Sequence, residues 1–207
     1  MPSVYDIKPR FQSLLRPLLA RLARAGVRPN HLTVTALLGS VAVGGVILLT
    51  PQRPLWLLAL PAWLFVRMAL NALDGMLARE HDMSTRLGAV LNEFGDVLSD
   101  LAIYLPLAAV RPEAAWSVVA FCLTAMLTEF AGVLGQALGA RRFYQGPMGK
   151  SDRALLVGSL ALLAVVAPAT LESWGWVFSA AALLAAWTCG NRLHAALADL
   201  DRKREAS

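Results

Sequence analysis

The feature that most constrains this chain is a succession of six long apolar runs: Leu32 to Thr50, Leu55 to Leu73, Gly88 to Val110, Ala114 to Gly139, Ala154 to Leu171 and Trp174 to Gly190. Each approaches the roughly 20 residues that a helix needs to cross a bilayer's hydrocarbon core. Proline and glycine punctuate them, with Pro29 before the first, Pro51 and Pro54 after it, Pro112 after the third, Gly146 and Pro147 before the fifth, and Pro168 and Gly175 between the last two. The chain is 57% hydrophobic and only 16% charged, well below the roughly 25% charge of soluble domains. With six spans to build, the 207 residues are not expected to hold a second, soluble domain. The expected fold is an all-α integral membrane protein of six transmembrane helices preceded by an N-terminal amphipathic surface helix.

That first helix is read from Ile7, Phe11, Leu14, Leu15, Leu18 and Leu22, which recur at helical spacing while Lys8, Arg16, Arg21 and Arg24 lie mostly off the stripe. Pro17 is expected to kink it or to begin a second short helix. Residues 1–31 thus form a cytoplasmic juxtamembrane segment, 32–198 the membrane domain and 199–207 a cytoplasmic tail. Of the nineteen Lys and Arg residues, sixteen fall in the N-terminal segment, in the loops after the second and fourth runs, or at the C-terminal end. Arg53 and Arg111 occupy the opposite loops, and Arg67 lies inside the second run. Basic loops stay cytoplasmic, so both termini are expected there, in a bacterial inner membrane. The formal charge of +5 is dispersed between apolar runs instead of forming an aromatic-interleaved patch, which argues against nucleic acid as a partner. Cys122 and Cys189 sit inside apolar runs and make no disulfide framework. The basic N-terminus lacks the apolar core and cleavage site of a signal peptide and is expected to stay attached.

Ionisable groups inside spans are expensive and mark function. In the second run Arg67, Asn71 and Asp74 follow at steps of four and three, separated by about 40° and about 60° around a helix, on one face. In the third, Asn92, Asp96 and Asp100 follow at steps of four, with Glu93 to one side. Two such stripes on consecutive helices make a set of oxygen donors suited to a hard divalent ion, Mg²⁺ or Mn²⁺. His31, His81 and His194 are too scattered for zinc. Gly75 and Ala78 are small enough to let a backbone or a phosphate approach. Arg79 offers a forked donor to a phosphate oxygen.

The run Asn71-x-x-Asp74-Gly75-x-x-Ala78-Arg79, eight residues, then Gly88-x-x-x-Asn92-x-x-x-Asp96 resembles the motif of the CDP-alcohol phosphatidyltransferase family, D-x-x-D-G-x-x-A-R, eight residues, G-x-x-x-D-x-x-x-D. Two of its four aspartates are asparagine here, at 71 and 92. The stretch Pro29-Asn30-His31-Leu32-Thr33 also looks like the Pro-Asn-x-x-Thr that opens the first span in many members. The resemblance implies exchange of the CMP of a CDP-alcohol, commonly CDP-diacylglycerol, for an acceptor hydroxyl, with a divalent metal. Asp74 and Asp96 become metal ligands, Asn71 and Asn92 add side-chain carbonyls, and Asp100 is a further candidate ligand, its alternative an ion pair with Arg67. Asp74, Gly75, Ala78, Arg79, Gly88, Pro29 and Thr33 fall to the nucleotide and pyrophosphate. Asp96 is the implied catalytic base.

Members with phosphorylated acceptors use basic residues for an anion pocket, which implies acceptor contacts from Lys150, Arg153 and Arg192, with Glu129 as their partner or as an acceptor contact. Gln136 is expected to face the same interior as Glu129. Gly135 and Gly139 form a G-x-x-x-G that packs a helix of the same chain or of a second subunit, and the resemblance implies a homodimer. The membrane lipid and an unidentified hydroxyl compound complete the expected partners. Rival readings are an intramembrane prenyltransferase, which also uses Asn and Asp at steps of four, and a pseudoenzyme or small transporter built on the same buried charges.

Overall fold

The computed structural model describes residues 4–205, with side chains from Arg10 onward. Ile7 and Lys8 of the amphipathic stripe, and the ends of the two terminal segments, lie outside the described side chains. The helices are α1 (Val4–Arg24), α2 (Pro29–Leu49), α3 (Ala59–Glu80), α4 (Arg86–Tyr104), a single turn α5 (Leu107–Val110), α6 (Ala115–Ala137), α7 (Lys150–Val166) and α8 (Trp174–Glu205). Short 3₁₀ segments at Pro54–Leu58, Pro112–Ala114 and Pro168–Ser173 lead into α3, α6 and α8. Each opens on a proline, whose fixed φ suits a first turn where the missing N–H costs nothing. The described residues contain no strand. Three stretches are by length and composition apolar enough to cross a membrane: Pro29–Leu49, Pro54–Glu80 and Pro112–Ala137. Of the other long helices, α4 carries the acidic stripe and α7 has 17 residues.

The chain divides into two compact units, the first comprising Met1–Val43 and Ala62–Ser99. Its core is Leu19, Leu32, Leu73, Met76 and Leu77, with Leu15, Leu22, Ala23, Val27 and Leu70 packed around it. The apolar stripe of α1 is therefore split. Leu15, Leu19 and Leu22 dock on α2 and α3, whereas Leu14 and Leu18 stay exposed. An edge-to-face contact of Phe11 on Phe65, with centroids 6.1 Å apart, and an Arg16–Glu80 ion pair at 3.0 Å add to that docking. The helix runs through Pro17 without starting a second one, because this packing offsets the single hydrogen bond that proline removes. Nearby, the Trp63 indole donates to the Ser40 hydroxyl at 3.0 Å, and its ring fills the space that a side chain at Gly39 would need.

The second unit comprises Gly44–Pro61 and Asp100–Ser207. A column of buried rings runs Tyr104, Phe121, Phe178, Trp174, with successive centroids 5.6, 5.5 and 5.6 Å apart. Alanines on α6 and α8 let these two helices pack closely. A Cβ placed at Gly135 would come 2.8 Å from that of Ala196, so the close approach is made within this chain. Gly139 lies beyond the helix, with φ +97°. There Gly139 N–H donates to Gln136 and Ala140 N–H to Gly135, both at 3.0 Å, which is a Schellman closure with glycine in its left-handed position. The expected G-x-x-x-G is thus one packing glycine and one helix terminator. Gln136, in that last turn, is exposed.

Helix α8 continues past the expected domain boundary to Glu205, and Asp199 ties it down. Its carboxylate accepts the Arg141 backbone N–H at 3.0 Å and lies 3.3 Å from the Lys203 ammonium. The Arg141 amide, ahead of the opposing desolvation and the helping Lys203 charge, holds this carboxyl below its ordinary 3.8. A carboxyl depressed in the folded state stabilises at full strength above its unfolded value, and that contribution is lost as pH falls through the lower, folded one. Hydrogen-exchange protection of the Arg141 amide is therefore expected to hold above pH 3.8 and to fall below it. Asp199→Asn should remove the acid dependence.

Candidate functional site

In the first unit the polar stripes of α3 and α4 meet. Residues 81–85 join the two helices, and the one-face spacing of Arg67, Asn71 and Asp74 turns all three inward. The Asn71 amide nitrogen donates to Asp96 Oδ1 at 3.0 Å. Arg67, only 3% exposed, donates to the Asp96 backbone carbonyl at 2.9 Å and stands 3.6 Å from the same Oδ1. Asp74 is buried, and its Oδ2 accepts the Thr33 hydroxyl at 3.0 Å.

The first turn of α2 reaches this place because α4 is small where the two touch. A Cβ at Gly88 would come 2.8 Å from Asn30 Oδ1, and one at Gly95 3.1 Å from Thr33 Cγ2. Pro29 thus opens a helix whose Thr33 and Asn30 brace α3 and α4. On the next turn of α3, Arg79 folds back over Gly75, where an added Cβ would stand 3.1 Å from its Nη1. Ala78 and Asn92 are half-buried, and Arg79 is exposed. Of the expected site residues, Pro29, Thr33, Asn71, Asp74, Gly75, Ala78, Arg79, Gly88, Asn92 and Asp96 therefore all belong to this unit.

Among the described residues no group of three His, Cys, Asp or Glu is placed to hold a metal. The donors here are the two carboxylates of Asp74 and Asp96 beside the amides of Asn71 and Asn92, all hard oxygen ligands of the kind Mg²⁺ and Mn²⁺ accept. The set fits such an ion in kind, with less negative charge than a four-acid stripe.

The second unit holds the remaining candidates. Arg153, fully buried, donates to Glu129 at 2.8 Å, to Asp100 at 3.1 Å, to the Thr128 hydroxyl at 2.9 Å and to the Met148 carbonyl at 3.3 Å. Arg192 donates to the Thr128 carbonyl at 2.6 Å and to the Tyr144 carbonyl at 3.2 Å, and lies 3.6 Å from Glu129. Arg142 approaches Glu129 at 3.8 Å. Lys150 is half-buried in the first turn of α7. Sequence reasoning grouped Glu129 with Arg153 and Arg192 but assigned no role to Arg142 or Thr128. Arg142 is one basic residue in a basic loop, and an uncharged Thr128 next to Glu129 gives no signal of its own.

The family model of the CDP-alcohol phosphatidyltransferases matches residues 27–189. The chain belongs to this family. Its match takes in both polar stripes and the start of α2. The chain is similar to inner membrane protein YnbA of Escherichia coli, 46% identical over 195 residues, which is 94% of this chain and 96% of that one. It is also similar to the phosphatidylinositol phosphate synthases of Mycobacterium marinum and Mycobacterium tuberculosis, 37% and 36% identical over 94 residues. That stretch is 45% of this chain but only 38% and 42% of those relatives. Among solved structures, the Mycobacterium tuberculosis synthase with CDP-DAG bound has a TM-score of 0.73 at 23% identity, over 87% of this chain and 92% of that one. The same enzyme in complex with manganese and citrate also has a TM-score of 0.73 at 23% identity, over 87% and 88% of the two chains. At this identity the likeness establishes the fold of a CDP-alcohol phosphatidyltransferase.

Proposed function

We propose that this chain transfers the substituted phosphate of a CDP-alcohol, CDP-diacylglycerol in the first instance, to an acceptor hydroxyl in phospholipid synthesis. The observation that carries this reading is the meeting of the two polar stripes, where Asn71 of α3 holds Asp96 of α4 at 3.0 Å and Thr33 of α2 holds Asp74 at 3.0 Å. The acceptor oxygen forms a bond to the phosphorus that carries the lipid alcohol, the bond from that phosphorus to CMP breaks, and Asp96 takes the acceptor's proton. Arg79 meets the charge that develops on the departing CMP. Mg²⁺ or Mn²⁺, held by Asp74 and Asp96 with Asn71 and Asn92 beside them, would supply Lewis-acid polarisation of the phosphoryl oxygens.

Asp100 is balanced by Arg153, and we assign it to that cluster. Arg153 and Arg192 are both enclosed and position Glu129, which leaves Glu129 and Lys150 to meet the acceptor. The closeness of Arg79 to Gly75 has a measurable result. Gly75→Ala should leave thermal stability unchanged or raised, since alanine is the better helix former by about 1 kcal/mol. It should nevertheless lower CMP release by about 10- to 100-fold, the worth of one hydrogen bond to a charged group.

All six long helices after α1 bare large apolar side chains, among them Leu38, Phe65, Phe94, Phe130, Leu155 and Leu183, more apolar surface than a soluble monomer exposes. Trp116 and Trp176 are 86% and 84% exposed at the starts of α6 and α8, where indoles favour the membrane boundary. These support six spans in the inner membrane, the Lys and Arg bias of the loops supports cytoplasmic termini, and family likeness supports a homodimer. The test is CMP release by purified protein in detergent, with Mg²⁺ or Mn²⁺, CDP-diacylglycerol and a panel of hydroxyl acceptors. Turnover with one acceptor supports the proposal, and none across the panel overturns it in favour of a pseudoenzyme.

A further inference from the structure

One carboxylate oxygen in the first unit is unusually well supplied with donors. Asp96 Oδ1 accepts the Asn71 amide at 3.0 Å and has the Arg67 guanidinium 3.6 Å away. The same guanidinium bonds the Asp96 backbone carbonyl at 2.9 Å and so fixes the turn of α4 that carries the side chain. An acid at position 71 would put two carboxylate oxygens about as far apart as this hydrogen bond is long. Like charges at that distance need a cation between them or a shared proton. Asparagine reverses the sign of the contact, because its N–H points positive charge at Oδ1 where a carboxylate would point negative. Arg67 adds a full charge that is nearly inaccessible to water, which repels any cation approaching that oxygen. Among the described residues no three of His, Cys, Asp or Glu stand together to hold a metal, so a site here draws on few carboxylates.

We propose that this chain takes up a single divalent cation, and that the Asn71 amide and the Arg67 guanidinium stand at Asp96 in the place of a second. Asn71 is then a positioning residue that makes the site less dependent on metal for its integrity. The inference rests on the metal-dependent transfer proposed above.

The test counts Mn²⁺ bound by the purified full-length protein, from the electron paramagnetic resonance of unbound Mn²⁺, alongside melting in a chelator and in excess Mn²⁺. The wild type should bind one ion per chain and melt lower in chelator than in Mn²⁺ by a smaller margin than Asn71→Asp. Asn71→Asp should bind two, melt lower than the wild type in chelator and recover in Mn²⁺. Asn71→Ala, with no ligand oxygen at that position, should stay at one. A wild-type count of two overturns the inference while leaving the proposed reaction standing. So does an Asn71→Asp protein that binds one ion with wild-type chelator sensitivity. A wild type that binds no Mn²⁺ and releases no CMP sinks the proposed function itself. Should Asn71→Asp fail to fold even in Mn²⁺, the wild-type count decides alone, one ion supporting the inference and two overturning it.

Discussion

Asp96→Asn is expected to lower CMP release by about 10²- to 10⁴-fold, the usual contribution of a positioned general base. The substitution is nearly isosteric. An amide oxygen at position 96 still accepts the Asn71 N–H, and the bond from Arg67 to the backbone carbonyl of residue 96, at 2.9 Å, does not involve the side chain. What disappears is the carboxylate proposed as base and as metal ligand, together with the negative charge 3.6 Å from a nearly inaccessible guanidinium. Binding of CMP should therefore survive while turnover collapses. Asp74→Asn provides the contrast. It removes a proposed metal donor and the acceptor of the Thr33 hydroxyl, so its loss should be partly recovered by raising Mn²⁺, whereas Asp96→Asn, which removes the proposed base along with a proposed metal donor, should recover less. Turnover within a few-fold of wild type in Asp96→Asn would remove Asp96 from the role of base.

Arg153→Ala is expected to cost about 3–5 kcal/mol of stability, the range found when one partner of a buried ion pair is removed. The guanidinium is completely enclosed and serves Asp100, Glu129, Thr128 and Met148 together. Its loss leaves the buried Asp100 carboxylate without this partner and takes from Glu129 the shortest of its three arginine contacts. Arg153→Lys should recover only part of the loss, because an ammonium lacks the planar fork that reaches four acceptors. The decisive comparison is the double variant Arg153→Met, Asp100→Asn. One charge of each sign is removed and Glu129 keeps Arg192 at 3.6 Å and Arg142 at 3.8 Å, so thermal unfolding in detergent should place it closer to wild type than Arg153→Ala. A single variant that melts like wild type would show the cluster to be solvated.

The membrane character of the chain, its long helices and the candidate site in the first unit were legible because they rest on local periodicity. A run of apolar residues near 20 long and a carboxylate repeated every four residues mean the same thing whatever surrounds them. The spacing of Asn71, Asp74, Asn92 and Asp96 placed the site on two consecutive helices, and the structure joins them there. Thr33, flagged only through the family's opening motif, turned out to hold Asp74 from 41 residues away.

The sequence by itself thus determined where the long helices form, which of them are apolar and which carry the candidate site residues. Only the tertiary structure decided the partners: that Asp96 takes Asn71 and Arg67, that Asp100 and Glu129 share Arg153, and that α1 docks half of its apolar stripe on α2 and α3. It also decided that Gly135 packs against Ala196 while Gly139 ends the helix. The reason is physical. Helix formation and apolar patterning depend on neighbours within a few residues, whereas the pairing of a buried charge depends on whichever distant side chain packing brings within about 3 Å, and no local spacing encodes that choice.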